Sequence, residues 1–370
     1  MKKKILVIGV IAILILMLVT LTGCGNKTNI DSTGSSNNET TQVKKVGNLS
    51  LDIDEGRNFS EGLAAVKKEK KWGYIDKQGN LVIDYKYEIV GDFSEGLANV
   101  YMDGKYGYID TKGNTVIDFK YESANGFSGG LAAVKENEKW LIIDNKGIIK
   151  ADNLSEMGVD EISSRFFNGM LNVEDSKHNT GYMDTSGKLV IGFKYNLASK
   201  FSDEGIAFAR DPEIRKNGFI DKKGNTVIDF KYQQADYFSE GLAAVQKEIN
   251  GNWGYVDVNG NEMAFEYNYT YPFSEGLGKV RNSSKLYGYI DKSNKVVVEP
   301  QYSEAGNFKE KLAYVKKDGK YGFIDQTGKV VIDCNYDKAK SFSQGLAYVE
   351  KDGKCGYINY EGKVIIGNVK

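Results

Sequence analysis

Phe93-Ser94-Glu95-Gly96-Leu97-Ala98, then Lys105-Tyr106-Gly107-Tyr108-Ile109-Asp110, then Thr115-Val116-Ile117-Asp118-Phe119-Lys120-Tyr121: this stretch decides the fold, because the chain repeats it. The opening phenylalanine recurs at Phe59, Phe127, Phe166, Phe201, Phe238, Phe273, Phe308 and Phe342, at steps of 34 to 39 residues. The aromatic-Gly-aromatic phrase recurs around Gly73, Gly181, Gly218, Gly254, Gly288, Gly322 and Gly356, with Trp140-Leu141 standing in once. A tyrosine six residues before the phenylalanine completes the pattern at Tyr87, Tyr121, Tyr195, Tyr232, Tyr267, Tyr302 and Tyr336. Three phrases holding fixed offsets through nine copies make periodicity the dominant signal, and such a period means a repeat architecture.

Each copy reads as strands. Asp103-Gly104 separates two short apolar runs, and Asp-Gly is a favoured two-residue hairpin because both positions tolerate positive φ. Asp318-Gly319, Asp352-Gly353 and Asn250-Gly251 repeat the device. Asp110-Thr111-Lys112-Gly113 fits a type I turn whose aspartate caps backbone amides. Thr115 to Tyr121 then alternates with period two, the mark of a half-buried strand. Every copy is thus expected to be a three-stranded antiparallel meander with a short connector through Ser123 to Ser128.

A lone meander of this size is marginal in water, so neighbours must stack. The expected fold is all-β: a tandem array of about nine meanders of ~34 residues over 47–370, with a core continuous from copy to copy. The glycine of the second strand is expected to make room for an adjacent ring. The last copy already owns a third strand at Lys363 to Val369, which favours an open superhelix with Gly47 to Ile53 as an end cap. A closed, propeller-like ring is the alternative.

Lys71-Trp72-Gly73-Tyr74-Ile75-Asp76, with Phe59-Ser60-Glu61-Gly62-Leu63-Ala64 upstream, resembles the bacterial WG (KWG) repeat family. The likeness runs from about Gly47 to Lys370. Trp72 and Trp253 keep the Trp-Gly pair, while Tyr106, Tyr287 and Tyr321 substitute a similar ring. The resemblance implies an architecture more than a purpose.

Met1-Lys2-Lys3-Lys4 followed by the uncharged apolar run Ile5 to Leu21 has the form of a secretory signal. It ends in Leu21-Thr22-Gly23-Cys24, which resembles the lipobox of bacterial lipoproteins. That likeness implies cleavage after residue 23 and a diacylglyceryl group on Cys24, hence a membrane-lipid partner and an extracytoplasmic, membrane-anchored location. The competing reading is an uncleaved signal anchor, which also leaves the body outside the cytoplasm. Residues 24–46 are polar and small, and are expected to form a flexible linker between lipid and array.

Cleavage would leave 347 residues and, with Lys2, Lys3 and Lys4 gone, move the formal net charge from −1 to −4. A near-neutral chain of interspersed charge offers no field for nucleic acid. Tyr 24 and Phe 17 are a heavy aromatic load that favours strands. The single histidine, His178, sits beside Lys177 and Asn179 in an expected turn, without an orienting partner or nucleophile nearby in sequence. One aspartate per Asp-x-x-Gly turn cannot supply the six to eight oxygens calcium takes, so turn capping is the better account. No catalytic residue, cofactor or metal site is therefore expected.

Cys334 and Cys355 replace aromatic positions in neighbouring copies, and two readings stay open: a disulfide, or two small buried apolar residues. Ala151 to Arg165 breaks the period, and Asp211-Pro212-Glu213-Ile214-Arg215 is an insertion. These irregularities are either drift in surface loops or a binding edge near Glu161, Arg165, His178 and Arg215. The functional expectation is a non-enzymatic binding or scaffold module for an envelope protein or peptide. The alternative is a binder of cell-wall glycan through exposed aromatic residues, since the Lys105-to-Gly113 phrase is loosely similar to choline- and glucan-binding repeats.

Overall fold

The computed structural model describes residues 52–162 and 164–369. Cys24, the leader 1–23 and the linker 24–46 lie outside the described residues, as does most of the Gly47 to Ile53 segment.

The described chain is a nine-bladed β-propeller. Eight sheets have four antiparallel strands in chain order and one has three. Blade 2 shows the pattern: Ile89–Val90, Leu97–Met102, Lys105–Asp110 and Thr115–Tyr121. The remaining blades follow in sequence: blade 1 spans residues 55–87, blade 3 123–151, blade 4 170–195, blade 5 197–232, blade 6 234–267, blade 7 269–302, blade 8 304–336 and blade 9 338–367. The strand expected to end each copy, Thr115–Tyr121 in blade 2, is the fourth of its blade. The expected connector Ser123 to Ser128, however, supplies an extra first strand to the next blade, with Ala124 opposite Val134. Three-stranded meanders are thereby corrected to four-stranded blades. In blade 4 the first strand is reduced to one bridge, Glu161 opposite Glu174.

Closure corrects the favoured open superhelix. Among the described residues nine sheets generate nine apolar seams, where an open row would have eight, and the ninth joins the last blade to the first. Ile53, Phe59, Ala64, Val66 and Ile75 of blade 1 pack with Leu346, Tyr348, Cys355, Tyr357 and Ile366 of blade 9. The hydrogen bonds at this seam copy those inside the ring. Between blades 2 and 3, Tyr108 Oη donates to Asn125 O at 2.7 Å and Ser94 Oγ to Phe127 O at 2.9 Å. Between blades 9 and 1, Tyr357 Oη donates to Arg57 O at 2.8 Å and Ser343 Oγ to Phe59 O at 2.6 Å. Among the described residues no strand is exchanged to close the ring, since Glu55–Gly56 pairs with Val66 and Lys67 of its own blade. Ile53 is buried in this seam rather than capping an exposed end.

The repeated phenylalanine and tyrosine meet at the seams. Tyr74–Phe93, Tyr108–Phe127, Tyr182–Phe201, Tyr255–Phe273 and Tyr289–Phe308 have ring centroids 4.7 to 4.9 Å apart, and Tyr357–Phe59 closes at 5.1 Å. Each such pair is worth roughly 0.5–1.5 kcal/mol beyond its burial.

The second-strand glycine has a different cause from the one expected. The fourth strand bulges across the third, with the register slipping between Tyr106 and Tyr108. A Cβ on Gly107 would lie 2.8 Å from Ile117 O, so backbone, as well as the Phe119 ring, occupies the space. Blade 3 carries Leu141 at this position. Its fourth strand is short, Ile149–Ala151, and the chain departs into the irregular segment. Gly107→Ala is expected to lower stability by about 1–3 kcal/mol through overpacking. Gly126→Ala, where a Cβ meets nothing within 4 Å, is expected to stay within about 0.5 kcal/mol of the parent. Urea unfolding of the two variants checks the contrast.

Candidate functional site

Antiparallel order puts the turn between strands one and two and the turn between strands three and four on one face of the ring. The turn between strands two and three lies on the other. The first of these turns contains the Ser-Glu-Gly phrase. Ser60 and Leu63 exchange both backbone hydrogen bonds around Glu61 and Gly62, whose φ values are 50° and 85°. This is a two-residue hairpin of the primed kind, and it aims the two central amides outward.

Those amides are the key to the glutamate. The Glu61 carboxylate accepts hydrogen bonds from Glu95 N at 2.7 Å and Gly96 N at 2.9 Å in the next blade. Glu95 does the same for Gly129 N and Gly130 N. Glu275 takes Glu310 N and Lys311 N, and Glu310 takes Gln344 N and Gly345 N. Glu204 reaches Gly241 N, Glu240 reaches Gly276 N, and Gln344 reaches Gly62 N across the closing seam. A belt of side chains thus ties turn to turn on one face. A non-glycine residue at positive φ costs of order 1–2 kcal/mol, which the two charge-assisted bonds offset.

The belt is interrupted at blades 3 to 5. Blade 3 has Gly129 where blades 1 and 2 have glutamate, and blade 4 has Phe167-Asn168 in place of Ser-Glu. Asn168 Nδ2 instead donates to Phe201 O and Asp203 Oδ1, both at 3.1 Å. The blade 5 turn is one residue longer, with Ser202 N bonded to Ile206 O. Beside this break lies an open concavity of about 350 Å³ spanning blades 4 to 7. Phe167, Lys200, Ser202, Glu204 and Tyr237 are among its walls. Lys200 Nζ sits 4.3 Å from the Phe167 ring centroid and 5.0 Å from that of Tyr237, a cation between two rings. Ser202 Oγ and Glu204 Oε2 are buried and have no hydrogen-bond partner among the described residues. Burial raises the neighbouring Asp236 carboxyl above its ordinary value, opposed by the Tyr237 amide and Lys200.

The expected binding edge is divided. Arg165 lies on the face of the concavity, its guanidinium 5.2 Å from the Phe167 ring centroid. Glu161 pairs with Glu174, and His178 and Arg215 occupy turns between strands two and three, so these three sit toward the opposite face. His178 is exposed, with Nδ1 3.5 Å from Glu174 Oε2. The Asp-x-x-Gly turns are capped: Asp257 Oδ1 accepts Asn259 N and Asn261 N, each at 2.9 Å. The Asn261 bonds hold that carboxyl below its ordinary range.

The signature aromatics belong to the core. Trp72, Trp140 and Trp253 are buried, and Tyr106, Tyr287 and Tyr321 are half-buried against the seams. Gly73, Gly288, Gly322 and Gly356 repeat the crossing seen at Gly107, while Gly254 pairs with Val245 in the same register. Both thiols are free. Cys334 packs in the seam between blades 7 and 8, and Cys355 in that between blades 9 and 1, so they point away from each other and form no disulfide. Cys355 Sγ instead lies 3.0 Å from Tyr348 Oη.

Lys279 is a residue the sequence did not single out. It occupies the position of Asn99 and Asn172, whose side-chain amides donate to Ala124 O and Ala198 O of the following blade. Lys279 Nζ donates to the equivalent Ala305 O at 2.9 Å and lies 4.1 Å from the Tyr271 ring centroid. Burial lowers its pKa to about 8. The folded state therefore releases this proton earlier than the unfolded chain, so a destabilising term present below pH 8 is relieved as pH rises toward the ordinary lysine value of roughly 10.4. Lys279→Met is expected to flatten that rise between pH 8 and about 10. Urea midpoints measured across the window for both proteins check it.

Comparison with known proteins now bears on this geometry. The WG containing repeat pattern matches residues 49–72, 72–106, 106–140, 181–211, 218–251, 253–285, 287–321 and 321–355. The longest unmatched interval inside the array, 141–180, holds the irregular segment 151–165 and the blade 4 turn. No curated protein matches the sequence. Among solved structures, a crystal structure of a eukaryotic initiation factor aligns at a TM-score of 0.56 and 12% identity, covering 77% of this chain and 88% of that one. BamB from Moraxella catarrhalis aligns at 0.42 and 11% identity over 84% of this chain and 95% of its own. The dihydro-heme d1 dehydrogenase NirN in complex with DHE aligns at 0.43 and 11% identity over 85% and 74%. The first likeness is one of fold alone, and the two lower scores carry no argument.

Proposed function

The chain belongs to the WG containing repeat family, and we propose that it is a non-enzymatic binding scaffold, held at the outer face of a membrane by an acylated Cys24, that presents one face of its propeller to a protein or peptide of the cell envelope. The observation that carries this reading is the concavity beside the interrupted belt. There Phe167, Lys200 and Tyr237 form a half-buried, mixed apolar and cationic surface where regular blades place only tied-down turns. Aromatic side chains at a recess are what protein recognition draws on most. Repetition gives a rigid frame, and irregularity in three blades gives one place on it a distinct chemistry.

The glycan reading has less support. The rings that would stack on sugars are spent on the seams, and Tyr360, at 43%, is the exposed aromatic among the described residues. A row of such rings is what a glycan surface would need.

Site-specific photo-crosslinking on intact cells tests the binding face, using the full chain with the probe at Tyr237 and a control probe at His178. A discrete adduct from position 237, absent from 178 and lost in Phe167→Ala, is expected. Equal adducts from both faces, or capture by purified peptidoglycan alone, would reverse the reading. Anchoring is tested separately: Cys24→Ser is expected to leave the membrane fraction and lose metabolic labelling with a fatty acid, and retention of both would refute acylation at that position.

A further inference from the structure

We infer that the exposed turn of blade 4 is a carboxylate-binding site, formed by the main-chain amides of Asn168 and Gly169 and used to seat an acidic group of a peptide ligand. The molecule itself supplies the comparison. Turns equivalent to this one present two successive amides, and in blades 2, 3, 8 and 9 both are held by one glutamate from the preceding blade. Phe167 and Met170 exchange the same pair of backbone bonds, at 2.8 and 2.9 Å. Asn168 and Gly169 have φ values of 50° and 78°, against 55° and 80° for Glu95 and Gly96. The amide pair is therefore built in the form that binds a carboxylate elsewhere in this chain.

The difference lies in what precedes it. The residue that would send a carboxylate forward is Gly129, which has no side chain, and a Cβ built there would meet nothing within 4 Å. Among the described residues no acceptor is bonded to either amide, and both Asn168 and Gly169 are exposed. Successive outward amides form a concavity that binds anions. Cations surround it: Arg165 and Lys200 lie over the Phe167 ring, and Lys222 Nζ donates to Asn168 O at 2.6 Å. One acidic group is also close, since Asp203 Oδ1 accepts from Asn168 Nδ2. The site opens beside the concavity that Phe167 and Tyr237 line, so a bound acid would continue into an aromatic trough.

This inference deepens the binding-face reading and rests on it for the peptide, but the carboxylate step can be tested alone. Amide chemical shifts of the full chain are followed during titration with sodium acetate. Saturable shifts at Asn168 and Gly169, with the glutamate-held amides of Glu95 and Gly96 unmoved, are expected. Equal response at both turns would overturn the site. Gly129→Glu supplies the missing carboxylate from within and is expected to weaken acetate binding by about tenfold or more, while raising the unfolding midpoint. Loss of binding in a more stable protein cannot be attributed to misfolding, and an undiminished acetate response in this variant would refute the assignment. Peptides ending in a free acid or an amide, and carrying an internal Glu or Gln, then tell a chain terminus from a side chain. Failure with acetate leaves the crosslink at Tyr237 standing, whereas loss of that crosslink alone leaves the amide response intact.

Discussion

Everything in this molecule depends on covering both faces of small, strongly apolar sheets. A four-stranded blade buries rings on each side, and no blade can do so without a neighbour on each. Tyr108 reaching Phe127, with its hydroxyl on Asn125 O, is the unit of that contact. Because Tyr357 makes the same contact to Phe59 and Arg57 O, the requirement is satisfied for the first and last blades as for the rest. A ring is the arrangement in which no apolar face is left over.

Polar chemistry is layered on that frame, and its most regular part sits at the turns. The glutamate belt is an internal ligand system: in blades 2, 3, 8 and 9 the turn offers two amides and the preceding blade answers with a carboxylate. Where the answer is missing, the same geometry becomes available to something else. Blade 3 departs from the pattern in several ways at once, with Leu141 for glycine, Gly129 for glutamate and Ile142, in its seam with blade 4, where other blades have an aromatic ring. Function is more readily placed at such a coordinated departure than at any regular position.

Much of the fold was legible because the repeat fixes it. Period, strand pattern, turn residues and the buried fate of the tyrosines all follow from residue types at constant offsets. The extra first strand was not legible, since Ser123-Ala124 is two residues of weak strand character that pair only because blade 3 is beside them. Closure was not legible either. It depends on the small rotation between successive blades, summed nine times, which no local pattern reports. At the candidate site the sequence marked the irregular region but grouped residues by proximity in the chain. Glu161 and His178 fell on the wrong face because strands reverse direction between them and Arg165. The Gly129 substitution was visible all along, but its meaning required knowing what the glutamates hold.

The central claim is that the first and last blades are neighbours in the ring. Distances between spin labels carried on unnatural side chains at the hairpin tips decide it, with Lys70 in blade 1, Asp103 in blade 2 and Asp352 in blade 9. The closed ring requires the 70–352 separation to match the 70–103 separation within the spread of the labels. A 70–352 distance several times longer, as in an open row of nine sheets, would contradict the account.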